Sequence, residues 1–85
     1  MEFEWDPAKA EHNIIKHGVD FTEAATVFND PLSITYADPD HSVGEDRYII
    51  IGLSMTNRLL IVAHTDRGEI TRIIVTSRER KLYEG

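Results

Sequence analysis

The second half of the sequence holds the residue types that handle a phosphodiester. His64 can move a proton near neutral pH. Arg72 and Arg58 carry guanidiniums, the best bidentate phosphate ligands. Tyr48 offers a ring on which a base can stack. A base, a phosphate clamp and an acid are the parts that cleave RNA through attack of its 2′-hydroxyl. The simpler account of the same residues is a solvated sheet face on which Tyr48 and His64 cover aliphatic neighbours, and spacing alone favours it. Lys9, Asn13 and Lys16, spaced by four and three, share one helical face. They would extend a phosphate track, or belong to an ordinary solvated helix.

Other chemistries find less support. The chain has no cysteine, so thiolate ligation and disulfides are excluded. His12 and His17 stand five apart rather than the four that places two ligands on one helical face. Asp38, Asp40 and His41 read more simply as a polar turn than as a metal site. No P-loop, GxGxxG, GxSxG or HExxH pattern is present. No metal or cofactor is implied, because cleavage of this type needs only positioned acid, base and cation groups.

The elements that must position these residues can be laid out along the chain. Phe3-Glu4-Trp5 alternates and predicts a short first strand. Asp6-Pro7 places an N-cap before a proline at N1, opening a helix over Pro7–His17 that Gly18 closes. Ala10, Ile14 and Ile15 are expected on its core side. Asp20-Phe21-Thr22-Glu23 is a capping box, with Val19 and Ala24 as a hydrophobic staple, and Pro31 ends this second helix. Leu32–Tyr36 alternates as a strand, followed by a polar loop through Glu45. Three strands follow, near Arg47–Ser54, Arg58–Thr65 and Glu69–Thr76. Thr76-x-x-Glu79 is a second capping box, predicting a short last helix that contains Arg78. That helix is marginal alone and leaves packing on a second copy open.

Turn chemistry sets the register. Asn57 and Gly68 are placed for left-handed turn positions, which sets Ser54 opposite Arg58 and Thr65 opposite Glu69. One face then carries Ile49, Ile51, Leu53, Leu59, Ile61, Ala63, Ile73 and Val75, all apolar, and is expected against the helices. The other carries Tyr48, Gly52, His64 and Arg72 among aliphatic residues and is expected to be open. Tyr48 lies opposite His64, with Arg72 one diagonal step away.

Composition bounds the rest. Eighty-five residues, 41% hydrophobic and 28% charged, make one globular domain, 1–85. The N-terminus is acidic and unlike a signal peptide, and no apolar run spans a bilayer, so a cytoplasmic protein without membrane attachment is expected. The net charge of −6 argues weakly against nucleic acid, since a local basic patch can act while acids sit elsewhere.

The order of residues is itself informative. Phe3-Glu4-Trp5-Asp6, Lys9, Asn13, Lys16-His17-Gly18-Val19, Phe21, Glu23-Ala24, Val27-Phe28 and Asp30-Pro31 resemble the start of BrnT-family toxins. The likeness continues through Asp38-Pro39-Asp40-His41-Ser42, Gly44-Glu45-Asp46-Arg47, Ile51-Gly52, Arg58 to Thr65, Arg72-Ile73-Ile74 and Arg78-Glu79-Arg80. The resemblance implies an α+β, RelE-like fold: a short first strand, two N-terminal helices packed on a four-stranded antiparallel sheet, and a short C-terminal helix. It implies a metal-independent endoribonuclease of a bacterial type II toxin–antitoxin pair. The implied partners are an RNA substrate and a BrnA-like ribbon-helix-helix antitoxin, with operator DNA reached only through the antitoxin. His64, Arg72, Arg58 and Tyr48 are the catalytic candidates, and Lys9, Lys16, Arg47 and Arg78 the RNA-binding ones. One departure stands out. Family members carry a stretch like Ser-Ala-Arg-x-Ala-Thr where Val75 here runs directly into Thr76-Ser77-Arg78, so roughly four or five residues, one an arginine, are missing. A degenerate homologue that only binds antitoxin and takes part in operon autoregulation is the alternative.

Overall fold

The computed structural model of the chain describes residues 1–41 and 44–79. Strand β1 (Glu2–Glu4) leads into helix α1 (Pro7–His17), helix α2 (Phe21–Thr26) and a 3-10 turn, Val27–Asn29. Strands β2 (Ile34–Ala37), β3 (Tyr48–Leu53), β4 (Leu59–Arg67) and β5 (Ile70–Arg78) follow, with a 3-10 turn at Pro39–His41 inside the β2–β3 loop.

Both helices begin and α1 ends for the reasons their sequences suggest. The Asp6 side chain accepts the Ala8 N–H, and that of Asp20 accepts the Glu23 N–H. Gly18 stops α1 at φ +70°, a left-handed conformation open to glycine. The staple residues Val19 and Ala24 are both fully buried. Only the inward side of α1 departs from expectation. Ile15 is 78% and Ile14 49% exposed, while Asn13 is buried. Asn13 faces inward because two backbone groups need it: its Oδ1 accepts the Thr76 N–H and its Nδ2 donates to the Val19 carbonyl.

The sheet has five strands in the order β1-β5-β4-β3-β2, not four, because β1 pairs parallel with β5. Its other pairings are antiparallel. The expected helix start at Thr76–Arg78 is strand instead. Those residues continue the β4–β5 ladder opposite Val62, Ile61 and Leu60. The rest of that helix, residues 80–85, lies outside the described residues.

The two faces are exchanged relative to expectation. The helices cover Ile50, Gly52, Leu60, Val62 and His64, and the core joins Val19, Phe21, Ala24 and Val27 to Ile50, Leu60, Val62 and Ile73. Gly52 makes this side the closer one to cover. A Cβ there would stand 2.8 Å from that of Ser33 and 3.1 Å from Val27 Cγ1. The polar members of this face are satisfied within it. The Thr76 hydroxyl donates to the Ile61 carbonyl, and that of Thr71 donates to Asp66.

The all-apolar face is therefore the outer one, and no helix among the described residues covers it. Ile34, Ile51 and Ile61 form one row across three strands, and Tyr36, Ile49, Ala63 and Val75 a second. Leu53 pairs with Leu59 in a third, and Leu32 extends the alternation of β2.

The β4–β5 register also differs. A bulge lies at Ala63/His64: Ala63 pairs with Val75 but His64 with Ile73, leaving Ile74 as the extra residue. Arg72 consequently pairs with Thr65 and stands on the outer face, opposite to His64.

Candidate functional site: a cationic cleft at the end of the outer face

The sequence candidates separate into four places. His64 and Tyr48 meet as expected, paired across β3 and β4 with stacked rings 5.9 Å apart. They meet on the helix side of the sheet, however. His64 is 4% exposed, edge-on to Phe28 at 4.8 Å, and its burial pushes the imidazole pKa down. Arg72 is not beside it, because the bulge sends the guanidinium through to the other face.

Arg58 is also elsewhere. It holds both carboxylate oxygens of Glu23, tying α2 to the β3–β4 turn. Ser54 and Thr56 donate to the same carboxylate at 2.6 and 2.7 Å. The Arg58 guanidinium, foremost, with the two hydroxyls behind it, holds the Glu23 pKa down at about 2 against the ordinary 4.5. A guanidinium committed in this way braces the fold and does not face the cleft.

Arg72 and three further cations converge at the end of the outer face. Lys9 from the first half of α1, Arg47 from the residue before β3, and Arg67 and Arg72 from the β4–β5 hairpin line a cleft of about 360 Å³. Thr65 and Ile74 form part of its floor, and Glu45 and His41 part of its wall. Arg72 reaches Glu4 at 3.1 Å, its neighbour across the parallel β1–β5 pair, and Arg67 reaches Glu45 at 3.4 Å. Lys9 forms no ion pair among the described residues and is exposed. Thr65 fixes the cleft wall by donating its hydroxyl to the Asp46 carbonyl at 2.7 Å. The Asp38 N–H donates to the Arg47 carbonyl, which closes the base of the β2–β3 loop.

His41 is the one imidazole in the lining. Its Nδ1 lies 2.9 Å from Asp38 Oδ2 across one 3-10 turn. A carboxylate only accepts, so Nδ1 carries the hydrogen, and in the neutral form of the ring the lone pair is on Nε2. The residues Asp38 and His41 were visible in the sequence as a polar turn. Their spacing of three was the signal of an oriented imidazole. Arg67 carried no such signal, because its placement depends on where the hairpin turns.

Lys16 and Arg78 form a separate cationic spot with His17 and Ser77, at the far end of α1 and β5. Arg78 lies six residues along the strand from Arg72, about 20 Å at strand rise. A groove of about 430 Å³ between Thr26–Asp30 and Leu53–Asn57 presents Asp30 and no cation. No group of three or more metal-ligating side chains occurs among the described residues. No helix among them is long and apolar enough to cross a membrane.

Known proteins give a consistent setting. Residues 5–82 match the model of a family described as the ribonuclease toxin BrnT of type II toxin–antitoxin systems. The crystal structure of the Brucella abortus ribonuclease toxin BrnT superposes with a TM-score of 0.67 at 24% identity, over 93% of this chain and 96% of that one. That likeness shows the same mixed α and β fold. No functionally curated protein matches.

Proposed function

The chain belongs to the BrnT family of ribonuclease toxins of type II toxin–antitoxin systems, and from that premise we propose that its cationic cleft binds RNA and cleaves it. The observation that carries this reading is the convergence of Lys9, Arg47 and Arg72, distant in sequence, on a concave surface with an oriented imidazole in its wall. In the proposed reaction His41 Nε2 takes the proton from a ribose 2′-hydroxyl, and the 2′-oxygen attacks the adjacent phosphorus. The bond to the 5′-oxygen breaks, that oxygen takes a proton from the imidazolium, and a 2′,3′-cyclic phosphate remains. The phosphorane gains one negative charge over the ground state, and the guanidiniums of Arg72 and Arg47 stabilise that gain. Lys9 and Arg67 hold flanking phosphates, and Lys16 with Arg78 meets a longer strand further along. The wider setting is the one the resemblance implies: a RelE-like toxin of the bacterial cytoplasm, neutralised by a BrnA-like ribbon-helix-helix antitoxin that alone contacts operator DNA.

A second reading has its own observation. His64 is packed in the core with Tyr48 stacked on it, and Arg58 is committed to Glu23, so three of the four catalytic candidates are absent from the cleft. A non-catalytic homologue that retains only antitoxin binding follows if the cleft does not cut. One assay separates the two. Folded protein free of antitoxin is incubated with single-stranded RNA in the presence of a chelator, and the 2′,3′-cyclic phosphate product is measured. Cleavage that falls at least about a hundredfold in Arg72→Ala and in His41→Ala is expected. Absence of cleavage by folded wild type selects the second reading, and cleavage indifferent to both substitutions moves the chemistry out of this cleft.

A further inference from the structure

The outer sheet face ends in a short edge strand that charge, proline and bulge leave unguarded. Strand β2 is Ile-Thr-Tyr-Ala: no charge, no proline and no bulge, exposed along its whole length and paired on one side only, with β3. Natural edges generally carry such devices to prevent strand addition. Ile34 is 66% and Tyr36 49% exposed, and these outward side chains start the two apolar rows that run to β4 and β5. Leu32, at 85%, and Leu53, at 42%, flank them. An apolar surface joined to an open backbone edge fits an extended chain, which satisfies the edge and adds its own alternating side chains to the rows.

Charge decides what kind of chain. No Lys or Arg occurs between Lys16 and Arg47, and Asp30, Asp38 and Asp40 bracket β2. A second copy of this protein would bring two acid-flanked edges and two molecules of charge −6 together. A cationic partner meets the opposite sign. The edge also leads somewhere. Beyond Ala37 it runs to Asp38 and His41 at the wall of the cleft, one row along the same face.

We propose that β2 and the apolar outer face receive an extended segment of the antitoxin, in which apolar side chains alternate with Lys or Arg and whose continuation lies over the cleft. This rests on the toxin–antitoxin reading and assigns the surface through which that partner acts. Inhibition then needs no change in the toxin's fold, because the strand-bound partner occludes the cleft from its rim.

The probe is a synthetic nine-residue peptide alternating Ile and Lys, titrated into the full chain and followed by backbone amide shifts. Two control peptides replace Lys by Glu, or keep the composition with Ile and Lys in separate blocks. Saturable shifts centred on residues 34–37 and 48–53, given by the alternating Lys peptide alone, are expected. The double variant Ile34→Asp, Tyr36→Asp weakens that binding at least tenfold while RNA cleavage stays at its wild-type level. Equal binding of either control, or of the double variant, overturns the proposal. So does a concentration-dependent dimer that excludes the peptide, which assigns the face to a second copy. Peptide binding gained only in a chain ending at Glu79 assigns it to residues 80–85 instead. Binding and cleavage are separate readouts, so a protein that binds without cutting removes the ribonuclease reading and leaves this surface standing.

Discussion

At the scale of single residues, one partly buried carboxylate and one buried imidazole make the protein acid-sensitive, and their signs agree. The folded pKa of Glu23 lies at about 2 against an ordinary 4.5, chiefly because Arg58 holds it. Its contribution is fully present above pH 4.5 and is lost as pH falls towards about 2. A shift of that size corresponds to at most about 3 kcal/mol, and solvent screening reduces it because the Arg58 side chain is 30% exposed. His64 is lowered by burial from 6.5, so its contribution is complete above that pH and declines as the unfolded state begins to take up the proton. Urea unfolding as a function of pH is expected to show stability falling below pH 6.5 and again below 4.5, with the second decline absent in Glu23→Gln. His64→Ala is expected to lose about 2–4 kcal/mol as a core truncation while the folded fraction keeps its RNA cleavage rate. A rate that collapses with stability intact would return His64 to the chemistry.

At the scale of elements, the reach of sequence reasoning depended on how local the determinant was. The caps at Asp6 and Asp20 and the stop at Gly18 act within a few residues, and they were legible. So was the β3–β4 turn, where Asn57 adopts φ +61° and Ser54 stands opposite Arg58. The second hairpin was not. Gly68 is left-handed as expected, yet the strands extend to Arg67 and Ile70, and the bulge shifts everything beyond it. A register that carries Arg72 across the sheet is costly only where the far face is core. Glu4 on β1 and the solvent of the cleft remove that penalty, and neither was visible from the hairpin alone. The exchange of faces has a similar cause. Both faces are rich in aliphatic residues, so hydrophobicity did not choose between them; close approach did, at Gly52. Gly52→Ala is accordingly expected to destabilise by about 1–3 kcal/mol through overpacking against Ser33 and Val27. Thermal or urea melting measures this, and a neutral result would mean that the 3-10 turn moves away freely.

At the scale of the whole molecule, the charges are separated in the way that the proposed binding of a polyanion by an acidic protein requires. Among the described residues every Lys and Arg but Arg58 lies around the cleft or at the α1–β5 end, while the stretch from residue 17 to 46 holds acids and no Lys or Arg. Net charge of −6 therefore weighed against nucleic acid in composition and says little about the surface that meets it. Three or four phosphate contacts in the cleft predict that the logarithm of RNA affinity falls with the logarithm of salt with a slope of about −2 to −3. Lys9→Ala is expected to make that slope shallower by about 0.7, as measured by fluorescence anisotropy on a labelled single strand. An unchanged slope would place Lys9 outside the interface.

The bulge in β5 turns the length of that strand into a question of odd and even. Arg72 lies on one side of the extra residue and Val75 on the other, yet both face outward. Remove Ile74 and the alternation runs on unbroken, with Arg72 and Val75 two apart, so both keep the outer face and Ile73 stays opposite His64. Were Ile74 instead to take a place in the ladder with Val75 held opposite Ala63, the cleft would lose its arginine to the interior and Ile73 would come out into water. The odd spacing of Arg72 and Val75 is tolerated only because one residue between them stands outside the count.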